Sequence, residues 1–386
     1  MVLLNNTKQR QVLVYVINVD WYFELHWLQR ALASLKTGYE VHLVMAFTDN
    51  DIHDRLNGYG FICHPWAIDR KSLNPLFNFK GFVDLYGYLK SISPNIIHAI
   101  TIKPNIYVGL LVYLLNKPYV LSVTGTGTVF SGQSLTIRMV KPLIRLLYKS
   151  LKTGNGLRRI VFENGEDKHY FVDTGLCADQ EAAIILGAGV DTDLYKPVPE
   201  AIANTPIILF AARLLWDKGL GDLVAAAKLL RAQGLSFLIQ VAGIIDKSTI
   251  NAIDERILED WHREGWITWL GTEKNMPKLI AQANIVVLPT FYGEGVPRIL
   301  IEAASCQRAI VTTDMPGCRE IVKHDVNGLL VPAQNSNALA GAIAKLIQNP
   351  GLRKTMGQRG REMVEKDFSE QHVIKQTLSL YAELLS

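Results

Sequence analysis

The sequence predicts an α/β protein with two doubly wound domains, each a parallel sheet covered by helices. Short apolar runs typical of buried parallel strands recur in both halves of the chain and alternate with segments long enough for helices. The 386 residues, 49% of them apolar and 20% charged, are enough for two full cores. A stretch rich in glycine and proline, from Gly187 to Pro206, separates the halves and predicts a linker.

The first half begins with a βαβ pattern. Strands are predicted at 12–18, 40–45, 96–99, 119–124 and 159–162, and a helix at 23–35. Polar residues occupy three carboxyl ends of these strands, where doubly wound sheets bind ligands. They are His98 with Thr101 and Lys103, then Thr124 to Gly127, then Glu163 with Asn164. A lone histidine at a strand end has a structural role as its alternative.

The glycines after Thr124 do not form the dinucleotide fingerprint, because its third glycine would be Phe130. This disfavours an NAD enzyme.

The second half repeats the alternation of strands and helices. Its strands are predicted at 207–211, 237–242, 267–270, 285–288, 309–313 and 328–331. Thr272, just after the third of these strands, is a candidate substrate-binding residue. A last helix is predicted at 369–384, and its apolar residues at helical spacing suit packing back across the domain boundary.

Two cations follow the first strand of the second half. Arg213 and Lys218 lie between that strand and a helix predicted from about Leu220. Cations at a strand end can neutralise a diphosphate, whose charge grows as its bond to a sugar breaks. The alternative, an exposed pair beside a helix start, would place positive charge against the helix dipole and explains the positions poorly.

The apolar run at 285–288 leads into a turn with glycines and then into Pro297. This order predicts a buried strand, a turn and a helix whose first residue is Pro297. Backbone N–H groups from Gly295 to about Arg298 then point outward at the positive end of the helix dipole, which suits a diphosphate.

Two carboxylates flank this turn. Glu294 precedes the helix, and Glu302 lies inside it, where it can accept hydrogen bonds from a diol on the same ligand. The alternative is an ordinary strand-to-helix turn in which Glu294 caps the helix and Glu302 is solvated.

The cysteines and the first residues of the chain indicate the compartment in which we expect the protein. The four cysteines are far apart and form no paired metal spacing, which indicates buried thiols in a reducing compartment. The amino terminus lacks a basic segment followed by an apolar stretch and a cleavage site, and no later apolar run is long enough to cross a bilayer. We therefore expect a cytoplasmic protein that does not span a membrane.

The net charge of +4 is unevenly distributed. No acidic residue lies between Asp84 and Glu163, a stretch that carries Lys90, Lys103, Lys117, Arg138, Lys141, Arg145, Lys149, Lys152, Arg158 and Arg159. Between 133 and 162 these cations recur among apolar residues at helical spacing, with Pro142 as an expected kink, which predicts a helix on an anionic membrane surface. The alternative is a core-facing helix with a solvated basic side.

The motif Glu-Gly-x-Pro from Glu294, followed by Glu302-Ala303, together with Arg-x4-Lys from Arg213, resembles the retaining glycosyltransferases of family four. That family has the GT-B fold, two Rossmann-like domains that face a cleft. The loop from Asn18 to His26, the stretch His98 to Tyr107 and the sequence Ser-Val-Thr-Gly-x-Gly are similar to a subgroup that builds lipid-linked bacterial polysaccharides. The aromatic residues at 21–23 of that loop are alternatively core residues.

The chain departs from the family pattern at two positions. The loop after Gly243 lacks the usual second glycine, and Gln307 stands where a helix-ending glycine is common. If Gln307 is left-handed, its backbone is strained by about 1 kcal/mol.

The resemblance implies the following site. Glu294, with the following residues Gly295, Val296 and Pro297, holds the donor sugar and diphosphate, and Glu302 holds the ribose. Arg213 and Lys218 stabilise the leaving diphosphate, His98 lies near the reacting sugar, and Lys103, Thr124 and Thr272 bind substrate. No metal or other cofactor is needed, so Asp191-Thr192-Asp193 is interpreted as an interdomain turn and not as a metal motif.

The resemblance also implies a domain order and a function. We expect an acceptor-binding domain at 1–188, a linker at 189–206, a nucleotide-sugar-binding domain at 207–366 and a C-terminal helix at 367–386. The enzyme would move a sugar, an N-acetylhexosamine, from a UDP-sugar to a polyprenyl-diphosphate-linked acceptor at the inner face of the plasma membrane, with no nucleic-acid partner. The alternatives are a soluble acceptor, a UDP-sugar epimerase of the same fold and a non-catalytic subunit.

Overall fold

The computed structural model describes residues 10–68, 75–125, 158–200, 205–246 and 251–386, together with positions 142, 145, 148, 149 and 249. These residues fall into two compact units. The described residues of the first unit lie within 10–124, 158–185 and 373–386, with the isolated positions 142, 145, 148 and 149, and those of the second lie within 186–372, with Gly125. The C-terminal segment from Val373 thus belongs to the first unit.

Among the described residues, the sheet of the first unit has seven strands, all parallel, in the order β3-β2-β1-β4-β5-β6-β7. Its strands are β1 (Val12–Val19), β2 (Glu40–Ala46), β3 (Ile62–Pro65), β4 (Ile96–Ile100), β5 (Tyr119–Val123), β6 (Arg158–Phe162) and β7 (Ala182–Ile184). The order reverses between β1 and β4, and a doubly wound sheet binds ligands at the carboxyl ends of the strands at such a point. The edge strands β3 and β7 were not predicted.

The helices of the first unit are α1 (Asp20–His26), α2 (Leu28–Lys36), α3 (Asn50–Gly58), α4 (Pro75–Ile92), α5 (Ile102–Leu115) and α6 (Gly165–Asp173). The single helix predicted at 23–35 is two helices, because the backbone at Trp27 leaves the helical region at ψ −16° and φ −126°. Asp49 caps α3 by accepting from the Asp51 N–H, and Asn164 caps α6 by accepting from the Asp167 N–H.

In the second unit the described residues form a six-stranded sheet in the order β10-β9-β8-β11-β12-β13. Its strands are β8 (Ile207–Ala211), β9 (Leu238–Ala242), β10 (Thr268–Gly271), β11 (Ile285–Leu288), β12 (Ala309–Thr313) and β13 (Gly328–Val331). The bounds of β8, β11, β12 and β13 agree with the predictions to the residue.

The remaining helices are α7 (Leu220–Ala232), α8 (Glu255–Arg263), α9 (Met276–Gln282), α10 (Arg298–Ser305), α11 (Pro316–Ile321), α12 (Ser336–Gln348), α13 (Pro350–Met363) and α14 (Glu370–Leu385). Within the described part of the chain, no helix combines the length and the apolar character that crossing a bilayer requires.

The stretch predicted as a linker is anchored to the second unit. Val190 and Tyr195 are buried in the core of that unit. The Arg361 guanidinium donates to the carbonyls of Thr192 and Tyr195 at 3.0 Å. Asp191 accepts from the N–H groups of the two residues after Thr192, which is the hydrogen bonding of a turn.

Candidate active site

The turn after β11 carries the strongest motif of the sequence, and it lies at the carboxyl end of a strand that is buried throughout. Pro297 precedes α10 and does not open it, since its φ of −62° and ψ of 119° are those of an extended residue. The prediction that Pro297 is the first helical residue is therefore wrong by one position. The first N–H groups of any helix have no partner inside the helix, and here they begin at Arg298, three residues after Gly295.

Lys218 and Glu294 come from two different loops and form an ion pair. The Lys218 Nζ lies 2.6 Å from the Glu294 Oε1, and the Thr290 hydroxyl donates to the same oxygen at 3.1 Å. The Lys218 side chain is 7% exposed and that of Glu294 is 20% exposed. The ammonium also lies 5.2 Å from the centre of the Tyr292 ring. Both charges are thus held in a fixed place with little access to water.

Backbone contacts lock these two loops together. The Phe291 N–H donates to the Asp217 carbonyl at 2.9 Å, and the Thr290 hydroxyl lies 3.1 Å from both that carbonyl and the Glu294 Oε1, which share its one proton. Gly219, at φ +81°, lies so close to the loop after β11 that a Cβ would stand 2.0 Å from the Pro289 carbonyl oxygen. Only glycine fits there. Burial raises the pKa of the Asp217 carboxyl.

A third loop closes against the same turn. A Cβ on Gly317, at the start of α11, would stand 1.4 Å from the Gly295 carbonyl oxygen. The Thr313 hydroxyl donates to the Thr290 carbonyl. The Glu294 turn is therefore supported by backbone from both sides, which fixes the direction of its N–H groups.

Arg213 joins this group at its edge. Its guanidinium lies 3.6 Å from an Asp246 oxygen, and its side chain is 37% exposed. Its charge opposes the rise in the pKa of the Tyr292 hydroxyl, which is caused mainly by burial. The structure thus brings Arg213, Lys218 and Glu294 to one end of the second sheet.

Glu302 is buried and paired, not solvated. It is 6% exposed, and one of its oxygens accepts from the Arg298 Nε at 2.6 Å. Arg298 was missed, although its spacing of four residues from Glu302 on one helix was a visible signal. The Tyr195 hydroxyl is close to the pair, and burial together with the Glu302 charge raises its pKa.

Thr272 follows neither β8 nor β11, the strands that lead to Arg213, Lys218 and Glu294. It is exposed directly after β10, the edge strand of the sheet, and β9 and β8 stand between β10 and β11. Two intervening strands at about 4.8 Å spacing place β10 roughly 14 Å from β11.

His98 does not lie at a strand end, and this expectation is corrected. It is the middle residue of β4 and is 1% exposed. Its Nδ1 is hydrogen-bonded to the Tyr381 hydroxyl of α14 and its Nε2 to the Ser122 hydroxyl at 2.8 Å. The rings of Tyr15 and Trp27 cover it. Strand β4 extends to Ile100 and carries His98 into the core, so the structural alternative describes this histidine.

The other first-unit candidates do lie at the carboxyl ends of strands. Lys103 is in the first turn of α5, which follows β4, and Thr124 follows β5. Thr101, between β4 and α5, has a φ of +75°, which is rare for a β-branched residue, and the Asn18 amide donates to its hydroxyl at 2.7 Å. Asn18 belongs to β1, so this strained contact marks the point where the strand order reverses.

The aromatic segment after β1 forms helix α1 and is organised by Asp20, whose importance the sequence did not show. This fully buried carboxylate accepts from the N–H groups of Trp21, Thr48 and Asp49 and from the Thr48 hydroxyl, at 2.6 to 3.3 Å. Phe23 is buried in the core, whereas Trp21 is partly exposed. Tyr22 is partly buried and packs against that core. The core alternative thus describes Phe23 and Tyr22 and does not describe Trp21.

Two cations of the basic stretch have acidic partners from outside it. Arg158 is fully buried in a two-point ion pair with Glu181, and Arg159 pairs with Glu383. The Arg145 guanidinium lies 5.4 Å from the centre of the Tyr170 ring. Arg138, Lys141 and Lys152 of the predicted membrane helix lie outside the described residues.

Within the described ranges, no three His, Cys, Asp or Glu side chains gather where they could share a metal ion.

Two family models match the chain. The model described as Glycosyl transferase 4-like matches residues 12–153, and that described as Glycosyl transferases group 1 matches residues 191–363. The chain belongs to the GT-B glycosyltransferases. The resemblance drawn from the sequence is thereby confirmed.

Two relatives of this glycosyltransferase are themselves named as glycosyltransferases. It is 25% identical over 345 residues to the N,N'-diacetylbacillosaminyl-diphospho-undecaprenol alpha-1,3-N-acetylgalactosaminyltransferase of Campylobacter jejuni, with 86% of this chain and 88% of the relative covered. It is 23% identical to the capsular polysaccharide biosynthesis glycosyltransferase CapM of Staphylococcus aureus, with 79% and 82% covered.

A solved structure shares the fold of this glycosyltransferase. Anabaena Alr3699/HepE in complex with UDP superposes with a TM-score of 0.75 at 17% identity, over 97% of this chain and all of the other.

Proposed function

We propose that this glycosyltransferase moves an N-acetylhexosamine from a UDP-sugar to a polyprenyl-diphosphate-linked saccharide during assembly of a bacterial surface glycan. The single observation that carries the proposal is the Lys218–Glu294 pair, 2.6 Å apart, beside the start of α10. At this point a cation can bind a diphosphate, the N–H groups at the helix N-terminus can bind the diphosphate oxygens, and a carboxylate can accept from sugar hydroxyls. We assign the donor to the second unit and the acceptor to the first.

The main requirement of the transfer is to stabilise the negative charge that develops on the leaving diphosphate. The bond between the sugar C1 and the diphosphate oxygen breaks, and a bond between C1 and the acceptor hydroxyl oxygen forms on the same face. The hydroxyl proton passes to the departing diphosphate, so that the reaction retains configuration and needs neither a metal nor a protein base. Lys218, Arg213 and the N–H groups from Gly295 onward would take up the charge of the leaving group.

The two carboxylates would bind different parts of the donor, the sugar and the ribose. Glu294, held by Lys218 and Thr290, would accept from sugar hydroxyls next to the reacting carbon. Glu302 accepts from the Arg298 Nε, and because a carboxylate offers several acceptor positions it would also accept from the ribose diol.

The acceptor class rests on similarity. The Campylobacter relative carries a lipid-linked saccharide in its name, and it covers most of this chain. Peripheral association with the inner face of the plasma membrane follows from such an acceptor. Lys103 and Thr124, at strand ends of the first unit, are the proposed acceptor contacts. We propose no role for His98 near the reacting sugar, because it is buried inside β4.

The test is incubation of the purified protein with a panel of radiolabelled UDP-sugars and a bacterial lipid extract, followed by extraction. We expect label from a UDP-N-acetylhexosamine in the organic phase. Label in a water-soluble saccharide would indicate a soluble acceptor. Conversion of the sugar nucleotide without transfer would indicate an epimerase.

A further inference from the structure

Tyr195 brings a side chain from the segment between β7 and β8 to helix α10. It is 6% exposed and belongs to the core of the second unit. Its carbonyl accepts from the Ser305 hydroxyl at 2.7 Å and from the Arg361 guanidinium at 3.0 Å. Ser305 lies three residues after Glu302 on α10, so the two share one face of that helix. The backbone of Tyr195 is therefore fixed about one helical turn from Glu302.

The Tyr195 hydroxyl meets both members of the Arg298–Glu302 pair. It interacts with the Glu302 carboxylate as a donor and with the Arg298 guanidinium as an acceptor. Burial and then the Glu302 charge raise the pKa of this hydroxyl, so it keeps its proton at neutral pH. Glu302 thus has a donor from its own helix and a second donor from a different segment of the chain.

Two donors restrict the Glu302 carboxylate more than one donor does. The Arg298 Nε alone leaves the carboxylate able to turn about its last bond, because that torsion has a broad energy profile. A donor from the segment before β8 removes this freedom. The Glu302 side chain is 8% exposed, so little water competes for its acceptor positions. A ligand that binds a carboxylate oriented in advance loses less entropy on binding.

The charges of this group favour a neutral ligand with hydroxyl donors. The Arg298 guanidinium, whose side chain is 27% exposed, balances the Glu302 charge at 2.6 Å. A diol adds no charge, and each of its hydroxyls can donate to a carboxylate oxygen. A phosphate at the same place would meet the negative charge of Glu302. The chemistry of the group therefore suits the diol of a ribose.

We propose that the Tyr195 hydroxyl is a positioning group for the ribose of the donor. By donating to Glu302, it holds that carboxylate in the orientation that accepts from the ribose diol. It thereby makes the site selective for nucleotides that carry the diol. This inference rests on the proposed function, which assigns the ribose to Glu302. A phenylalanine would fill the same space in the core, so the selectivity belongs to the hydroxyl.

The test is calorimetry of the full chain with UDP and with 2′,3′-dideoxy-UDP, which has the same base and diphosphate but lacks the diol. The wild type should bind UDP more tightly. Tyr195→Phe should weaken UDP binding by about three- to tenfold, the effect of one net hydrogen bond, and should leave dideoxy-UDP binding unchanged. The matched control Tyr39→Phe, at a partly buried tyrosine of the first unit, should bind both ligands as the wild type does.

Donor kinetics give a second measurement. Because contacts to the ribose are the same before and during transfer, Tyr195→Phe should raise KM for the UDP-N-acetylhexosamine by the same factor and leave kcat nearly unchanged. A tyrosine that only supports the fold would disturb the start of α10 when it is changed. Such a role should lower kcat and weaken the binding of both nucleotides.

Equal weakening of UDP and dideoxy-UDP binding by Tyr195→Phe would overturn this inference, as would unchanged UDP affinity. If Glu302→Gln still reduces the preference for UDP, the ribose assignment survives and this inference fails alone. A wild type that binds the two nucleotides alike would contradict both. A wild type that prefers UDP but transfers no sugar would count against the proposed function and not against the role of Tyr195.

Discussion

Glu302 and Glu294 are assigned to different parts of the donor, the ribose and the sugar, and this predicts different effects of their substitution on UDP binding. Glu302→Gln should weaken UDP binding by about 1.5–3 kcal/mol, because it removes the charge from hydrogen bonds to the ribose. Glutamine keeps the hydrogen bond from Arg298, although it no longer balances the charge of that guanidinium. Glu294→Gln should leave UDP affinity nearly unchanged and greatly reduce transfer. Calorimetry with UDP measures both, and an equal loss of affinity in the two variants contradicts the assignment.

His98 gives a pH dependence of stability. Burial, with a smaller contribution from Arg30, lowers its pKa well below the usual 6.5. Above pH 6.5 neither state binds the proton, and below it the unfolded histidine does while the folded one does not. The free energy of unfolding should therefore fall by up to about 1.4 kcal/mol per pH unit as the pH drops below 6.5. His98→Gln should flatten this slope in denaturant titrations from pH 5 to 7. An unchanged slope would show that other groups cause it.

The limits of prediction at this scale have a physical cause. Glu294, Glu302, Arg213 and Lys218 could be named from spacing, because a strand, a turn and a helix fix where such residues go. The burial of His98 could not, since it depends on Tyr381, which is 283 positions away in the chain. Asp20 likewise acts on residues of the loop after β2.

At the scale of elements, the connection from α10 to β12 stores strain. Gln307 has a φ of +57°, as the sequence suggested it could. The helix α13 packs closely here, because a Cβ placed on Gly357 would lie only 2.1 Å from the Gln307 carbonyl oxygen. Gln307→Gly should remove the strain of the left-handed backbone, and it should also give the unfolded chain more conformational freedom, which opposes folding. We expect the first effect to be slightly larger, so that the free energy of unfolding rises by up to about 1 kcal/mol.

The matched change Gln307→Val should destabilise by more than about 1 kcal/mol, since a β-branched residue tolerates this conformation least. Denaturant unfolding of both variants measures the difference. If valine is as stable as glycine at this position, strain is not the reason.

Elements with continuous apolar runs were predictable, and the two edge strands of the first sheet, β3 and β7, were not. β8 and β11 are central and almost wholly buried, and their bounds followed from composition alone. β3 has the sequence Ile-Cys-His-Pro with two exposed residues, so it carries no apolar signal. The break between α1 and α2 at Trp27 was not predicted. The Trp27 side chain packs in the core beside His98, and helix propensity does not reflect such packing.

At the scale of the whole molecule, each unit is complete in itself, with its own sheet and core. The chain leaves the first unit after Ile185 and re-enters it at Val373. The stretch around Tyr195 is held to the second unit by Arg361, and the Val198 carbonyl accepts from Arg308 at 2.6 Å. A sequence rich in Pro and Gly does not reveal this anchoring, because the arginines come from distant helices and loops.

The central claim is that the group formed by Arg213, Lys218 and Glu294 drives sugar transfer to a lipid-linked acceptor. Its most direct test is the initial rate at which label from a UDP-N-acetylhexosamine enters the organic phase, for the wild type, Arg213→Ala, Lys218→Ala and the control Lys228→Ala. Lys228 lies on α7 and stacks on Trp266, away from the Glu294 turn. The account predicts a loss of about 2–4 kcal/mol of transition-state stabilisation, roughly thirty- to a thousandfold in rate, in each of the first two variants and none in the control. Near-wild-type rates in correctly folded Arg213→Ala and Lys218→Ala would contradict it.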